Sequence, residues 1–183
     1  MSETVTNFTR AVELFDAVVA AVPDDAWDND TPCADWNAEQ LLRHQCGVLD
    51  ALAEVARSGV VNRPQMAAET DDPAGRWVTT RDGVLAALAG ADLGREDDYW
   101  FGSMSFEEFL AMVQWDPLTH AWDLAQACGT SLDLPDDLCE VSLARVKSLG
   151  ETARRWRLIG DEVPIADDAP IAHRYLAYVG RQP

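Results

Sequence analysis

The sequence predicts an all-α protein, a helix bundle of four main helices with additional helices at its C-terminal end. Apolar residues recur at helical spacing along most of the chain. Two capping-box patterns, Asn37 with Gln40 and Ser105 with Glu108, mark helix starts. The 183 residues, 48% of them hydrophobic, suit one globular domain, so we expect a single domain over residues 1–183.

The first two helices follow from an apolar stripe and a capping signal. The stripe of the first helix ends before Pro23 and consists of Phe8, Val12, Phe15, Val18, Val19 and Val22. A loop rich in Asp, Pro and Asn then covers residues 23–36. The second helix is predicted to begin at Asn37 and to end near Gly59.

The third and fourth helices are separated by a short irregular region. Asp72 and Pro73 form a cap and first-turn pair for a helix that runs to about Gly90. Residues 92–104 are expected to be irregular or to form a short strand pair. The fourth helix is predicted from Ser105 to Gly129, a residue suited to a left-handed helix end.

Two further helices complete the prediction, one over residues 133–156 and a last one from Ile171 to Val179. Pro117 lies inside the fourth helix. There it removes a hydrogen bond to the Val113 carbonyl, at a cost of ~3 kcal/mol. We expect a kink at Pro117 or, alternatively, a break in the helix.

Composition excludes several classes of partner and location. The formal net charge of −18 argues against nucleic acid and anionic membranes as partners. No stretch reaches the ~18 apolar residues of a membrane span, and the polar first ten residues do not form a signal peptide. The four cysteines form no C-x-x-C pair. We therefore expect a cytoplasmic protein with reduced thiols.

A carboxylate and an imidazole in the fourth helix carry the strongest functional signal. Asp116 and His120 are four residues apart, so a helix places them on one face. With His44 from the second helix they form a two-histidine, one-carboxylate set that suits a divalent metal with open positions. The alternatives are a hydrogen-bonded surface pair for Asp116 and His120, and a core position for His44.

Three further polar residues, Asp123, Cys33 and His173, have predicted positions. Asp123, one turn after His120, is predicted either to hold the imidazole of His120 in a second shell or to pair with an arginine. Cys33 is predicted as a small buried cap residue, with a thiol near the site as the alternative. His173 is predicted to lie on a solvated face.

Several sequence runs together resemble a known family. The runs Thr31–Trp36, Leu41–His44, Asp116–Gly129 and Ala169–Pro183 resemble the DinB-like metal-binding superfamily, in its mycothiol-dependent maleylpyruvate isomerase branch. The resemblance implies a DinB/YfiT-like up-down four-helix bundle of an actinobacterial type. It also implies a divalent metal, zinc or alternatively nickel, held by His44, Asp116 and His120, with mycothiol as a cosubstrate.

The expected function is therefore a metal-dependent, mycothiol-dependent isomerase or thiol transferase. There are two alternatives. One is a non-catalytic metal- or ligand-binding module of a stress or regulatory kind, and the other is a metal-dependent hydrolase. The candidate general bases are Asp123, Asp35 and a metal-bound hydroxide. Arg174 and Arg181 are candidate ligands for a substrate carboxylate if the last helix folds over the site. The expected partners are a small-molecule substrate or low-molecular-weight thiol and, for the Trp-rich surface, a second copy of the chain.

Overall fold

The structure, a computed structural model, describes residues 2–34 and 36–183 and is built almost entirely from helices. The elements, in chain order, are α1 (Glu3–Val19), α2 (Ala38–Ser58), α3 (Pro73–Ala89), β1 (Glu96–Tyr99), β2 (Gly102–Ser105), α4 (Phe106–Val113), α5 (Trp115–Ala127), α6 (Asp136–Leu149), α7 (Glu151–Arg155) and α8 (Ile171–Tyr178). The predicted all-α class is confirmed.

The chain divides into two compact units, residues 1–131 and 132–183. The N-terminal unit holds α1 to α5 and the β1–β2 hairpin, and the C-terminal unit holds α6 to α8. The prediction that the whole chain is a single domain stays a prediction.

The N-terminal unit is a bundle in which α1 and α2 each contact several other helices. Helix α1 packs against α3, α4 and α5, and α2 packs against α3 and α5. The largest fully buried side chains of this unit are apolar and include Phe8, Phe15, Leu41, Leu49, Trp77, Phe106, Phe109 and Leu118. The contact between α2 and α5 is the one that assembles the candidate site.

The capping signals in the sequence mark real helix starts. The Asn37 side chain accepts from the Gln40 amide while the Gln40 side chain accepts from the Asn37 amide, and Ser105 and Glu108 form the same reciprocal pair. Each box satisfies two backbone N–H groups that a helix start leaves without partners. The short strand pair is also present, as an antiparallel hairpin of β1 and β2.

The predicted fourth helix is divided at Gln114 into α4 and α5, and Pro117 explains the division. Proline has no N–H to donate to the Val113 carbonyl, and α4 ends at Val113. Pro117 is the third residue of α5, in the first turn, where the N–H groups have no partner within the helix. The interruption therefore lies before Asp116, and Asp116 and His120 remain on the same helix.

The predicted fifth helix is also divided, in the C-terminal unit, at Gly150. This glycine has φ 54° and ψ −141°, a conformation that other residues rarely adopt. Helix α6 ends before it and the short α7 follows it. Within the same unit, α6 packs against α7 and α8.

In the described part of the chain, every helix is too short or too polar to cross a membrane.

Candidate metal centre

Helices α2 and α5 bring the three predicted ligands together in the N-terminal unit. His44 comes from α2, and Asp116 and His120 come from α5. One ligand atom from each lies within 4.8 Å of the other two. The Nε2 atom of His44 is 3.5 Å from Oδ2 of Asp116, and Nε2 of His120 is 3.6 Å from Oδ1 of Asp116.

These distances are longer than those of ordinary hydrogen bonds and fit the spacing of donors around a metal ion. An N–H···O hydrogen bond spans about 2.7–3.2 Å, so both separations are too long for a good one. Zinc bonds to nitrogen and oxygen of about 2.0–2.2 Å at tetrahedral angles place neighbouring donor atoms roughly 3.4 Å apart. The spacing of the donors and their chemistry therefore suit a divalent ion. That His44, Asp116 and His120 bind one stays a prediction.

Asp123 fixes the orientation of the His120 ring. Its Oδ2 atom lies 2.9 Å from Nδ1 of His120, and Asp123 is fully buried. A carboxylate accepts hydrogen bonds, so the ring donates from Nδ1, and in the neutral imidazole this leaves the lone pair of Nε2 available for a metal. Nε2 is the atom that faces Asp116. Of the two roles predicted for Asp123, the structure shows the contact with His120, which is typical of histidines that bind metals.

Asp116 is a buried carboxylate surrounded by donors. Its side chain is 13% exposed, and Gln45 donates from Nε2 to Oδ2 at 2.5 Å. Burial acts to raise the pKa of Asp116. The electrostatic interaction and hydrogen bonding with His44, the interaction with His120 and the hydrogen bond from Gln45 outweigh burial and lower this pKa to about 2. The carboxyl group is therefore ionised at neutral pH, as a metal ligand must be.

Trp36 forms one wall of the site. Its ring stacks on His44 with a centroid separation of 4.4 Å and an interplanar angle of 26°, and lies 5.8 Å from the His120 ring. Trp36 precedes the cap residue of α2, so the start of the helix places it beside His44. Trp36 belongs to the sequence run Thr31–Trp36, but the sequence alone indicates no role for it. The sequence also indicates no role for Gln45, which directly follows His44.

The other candidates lie elsewhere or are not placed. Cys33 is half-buried, and its carbonyl accepts from the Trp36 amide, but its sulfur is not in the group of donor atoms found among the described residues. Asp35, a candidate base, lies outside the described residues. No catalytic residue is assigned.

His173, Arg174 and Arg181 belong to the C-terminal unit. His173 is exposed, as predicted. Arg174 lines a cavity of about 590 Å³ within that unit, and the buried guanidinium of Arg181 donates to the Val179 carbonyl at 2.8 Å. Binding of a substrate carboxylate by Arg174 or Arg181 stays a prediction.

Comparisons with known proteins identify the family of the chain. Residues 8–125 match the family described as the mycothiol maleylpyruvate isomerase N-terminal domain, a range that includes His44, Asp116, His120 and Asp123. Two uncharacterized proteins of Mycobacterium tuberculosis, from strains CDC 1551 / Oshkosh and ATCC 25618 / H37Rv, are each 30% identical over 186 residues, covering 94% of both chains. No solved structure gives a significant match. The chain therefore belongs to the mycothiol maleylpyruvate isomerase N-terminal domain family.

Proposed function

We propose that the protein is a metal-dependent enzyme that uses a low-molecular-weight thiol, with a divalent ion held by His44, Asp116 and His120. The observation that carries the proposal is the meeting of two imidazoles and one carboxylate within 4.8 Å, contributed by two different helices. Zinc is the expected ion and nickel the alternative, because both accept imidazole and carboxylate ligands.

The residues around the site would prepare it for an ion. Asp123 presents Nε2 of His120, and Trp36 holds the His44 ring by stacking. The exposed fractions of the three side chains increase from 6% for His120 and 13% for Asp116 to 25% for His44. Because His44 is the most exposed, a small ligand would approach the site from its side. Three protein ligands leave at least one coordination position for water, thiol or substrate.

A divalent ion in such a site would act as a Lewis acid on a substrate carbonyl, lower the pKa of water, or hold a thiolate. Family membership favours the thiol among these, with mycothiol as the cosubstrate and isomerisation or thiol transfer as the reaction. Arg174 and Arg181 remain proposed partners for a substrate carboxylate.

Metal content tests the proposal directly. The chain has three histidines and only two are proposed ligands, so the third provides a control. Protein purified without chelator and supplied with zinc or nickel should contain about one ion per chain by elemental analysis. The variants His44→Ala and His120→Ala should lose the ion. His173→Ala, which changes the exposed third histidine, is the matched control and should keep it. A folded wild type that takes up no metal overturns the proposal.

Activity measurements separate the proposed enzyme from its alternatives. The metal-loaded protein should isomerise or modify a small electrophilic substrate only when mycothiol is present, and His120→Ala should be inactive. Turnover of simple esters or amides without thiol would indicate a metal-dependent hydrolase instead. A tightly bound ion that no thiol or anion can reach would indicate a non-catalytic binding module.

A further inference from the structure

Gln45 joins the two helices that carry the proposed ligands. It lies on α2 directly after His44 and is fully buried. Its Nε2 atom donates to Oδ2 of Asp116, on α5, at 2.5 Å. Gln45 therefore contacts a proposed ligand without being one itself.

The direction of the Gln45 amide follows from its partner. The NH₂ group of Gln45 donates to the Asp116 carboxylate oxygen, so the amide oxygen points elsewhere. That oxygen, Oε1, is buried and has no hydrogen-bond partner among the described residues. A buried polar atom without a partner destabilises a fold, so packing alone does not favour glutamine here. The contact with Asp116 is the favourable interaction that the amide makes.

The contact also determines how the carboxylate is turned. Oδ1 of Asp116 faces His120, while Oδ2 lies 3.5 Å from Nε2 of His44 and accepts from Gln45. A donor fixed on one carboxylate oxygen restricts rotation about the bond to that group. The other oxygen is then held toward His120. Partners of this kind, one step removed from a metal, orient the groups that bind it.

We propose that Gln45 is a positioning residue, which holds the Asp116 carboxylate in the orientation that binds the metal. This inference rests on the proposed metal centre. Gln45 lies on α2 and Asp116 on α5. The packing of these two helices therefore sets the orientation of the carboxylate and also brings the ligands together.

Cobalt(II) binding to Gln45→Met tests the inference. Methionine has a similar volume and no donor, so the bundle should fold, which far-UV circular dichroism and thermal unfolding verify. We expect cobalt affinity to fall about 10- to 100-fold, the range for loss of such a partner, and the visible absorption spectrum of the bound ion to change. Gln45→Asn, one methylene too short to reach Asp116, should show the same loss and decides the question if Gln45→Met does not fold.

Two comparisons separate positioning from general stability. Gln114→Met makes the same chemical change at another buried glutamine, whose Nε2 has no partner in the described part of the chain, and should keep the wild-type spectrum. Asp116→Ala, which removes the carboxylate itself, should lose at least as much cobalt affinity as Gln45→Met, because Gln45 acts through Asp116.

The outcomes distinguish this inference from the proposed function. If the wild type binds no cobalt or zinc, the metal centre itself is wrong. If the wild type binds metal and Gln45→Met or the folded Gln45→Asn matches its affinity and spectrum, the positioning role of Gln45 is overturned and the metal centre stands.

Discussion

The Nδ1 atom of His120 lies 2.9 Å from Oδ2 of the buried Asp123, on the side of the ring opposite to the nitrogen that faces Asp116. Both residues belong to α5 and are three positions apart. A single helix therefore supplies a carboxylate, the imidazole beside it and the group that orients this imidazole. Asp116 faces Nε2 of His120 and is a proposed metal ligand, whereas Asp123 contacts Nδ1 and orients the ring.

The contact between Asp123 and His120 predicts the effect of removing the carboxylate. Asp123→Ala should weaken zinc binding about 10- to 100-fold, because the ring loses the acceptor that fixes its tautomer and orientation. Asp123→Asn keeps an acceptor oxygen and should lose less. Competitive titration against a chromophoric chelator measures both affinities. Asp24→Ala, at an exposed aspartate of the same unit, is the control, and equal affinity in Asp123→Ala would contradict the prediction.

Stacking of Trp36 on His44 makes a second prediction about metal affinity. A well-oriented aromatic pair contributes about 0.5–1.5 kcal/mol, which corresponds to roughly 2- to 13-fold in an equilibrium constant. Trp36→Leu should weaken zinc binding by a factor in that range, because the partly exposed His44 ring loses its support. Trp36→Phe retains an aromatic face and should recover most of the affinity in the same titration. A Trp36→Phe variant as weak as Trp36→Leu would argue against stacking as the cause.

The sequence allowed part of this site to be predicted, for reasons that are local. The spacing of Asp116 and His120 is a property of one helix, and α5 preserves it because Pro117 lies in the first turn. The caps at Asn37 and Ser105 are also local signals, and the structure confirms both helix starts. His44 was joined to the pair because its residue type completes a metal-binding set and the family resemblance agrees, since periodicity alone does not show which helices meet.

The features that sequence analysis missed depend on contacts between elements. Gln45 was one more residue of the predicted second helix until the packing of α2 on α5 placed it against Asp116. Trp36 gained a role only when the loop before α2 directed its ring onto His44. The two divided helices depend on local signals and not on contacts between elements, since Pro117 and Gly150 are visible in the sequence. Pro117 was predicted to disturb its helix, and the break at Gly150 was missed.

A close approach of two backbones at Gly47 predicts a sensitive position in α2. A Cβ atom added at Gly47 would lie 1.8 Å from the Gln65 carbonyl oxygen. The loop is held there because the Ala67 N–H donates to the Arg43 carbonyl and the Ala67 carbonyl accepts from Nε of Arg43, one turn before Gly47. Gly47→Ala must displace this loop, so we expect the free energy of unfolding to fall by about 1–3 kcal/mol in urea denaturation.

The control for Gly47→Ala is Gly90→Ala, because an added Cβ at Gly90 meets no atom within 4 Å. That variant should be neutral or slightly stabilising, since alanine reduces the conformational freedom of the unfolded chain. If the two variants unfold at the same urea concentration, the loop is not held against α2 as described.

The buried thiol of Cys139 in α6 predicts how stability depends on alkaline pH. Burial, with smaller contributions from Asp136 and Asp137, raises the pKa of this thiol from 9.0 to about 12. Above pH 9 the unfolded chain loses the proton while the folded chain keeps it, so stability falls as pH rises toward 12, by up to about 1.4 kcal/mol per pH unit. Below pH 9 both states keep the proton and this group contributes no pH dependence.

Urea denaturation between pH 8 and pH 11 should show a shallower decline in the free energy of unfolding for Cys139→Ala than for the wild type. A loss of stability that is the same at every pH would not change this comparison of slopes. Equal slopes in Cys139→Ala and the wild type would show that this thiol ionises at its ordinary pKa.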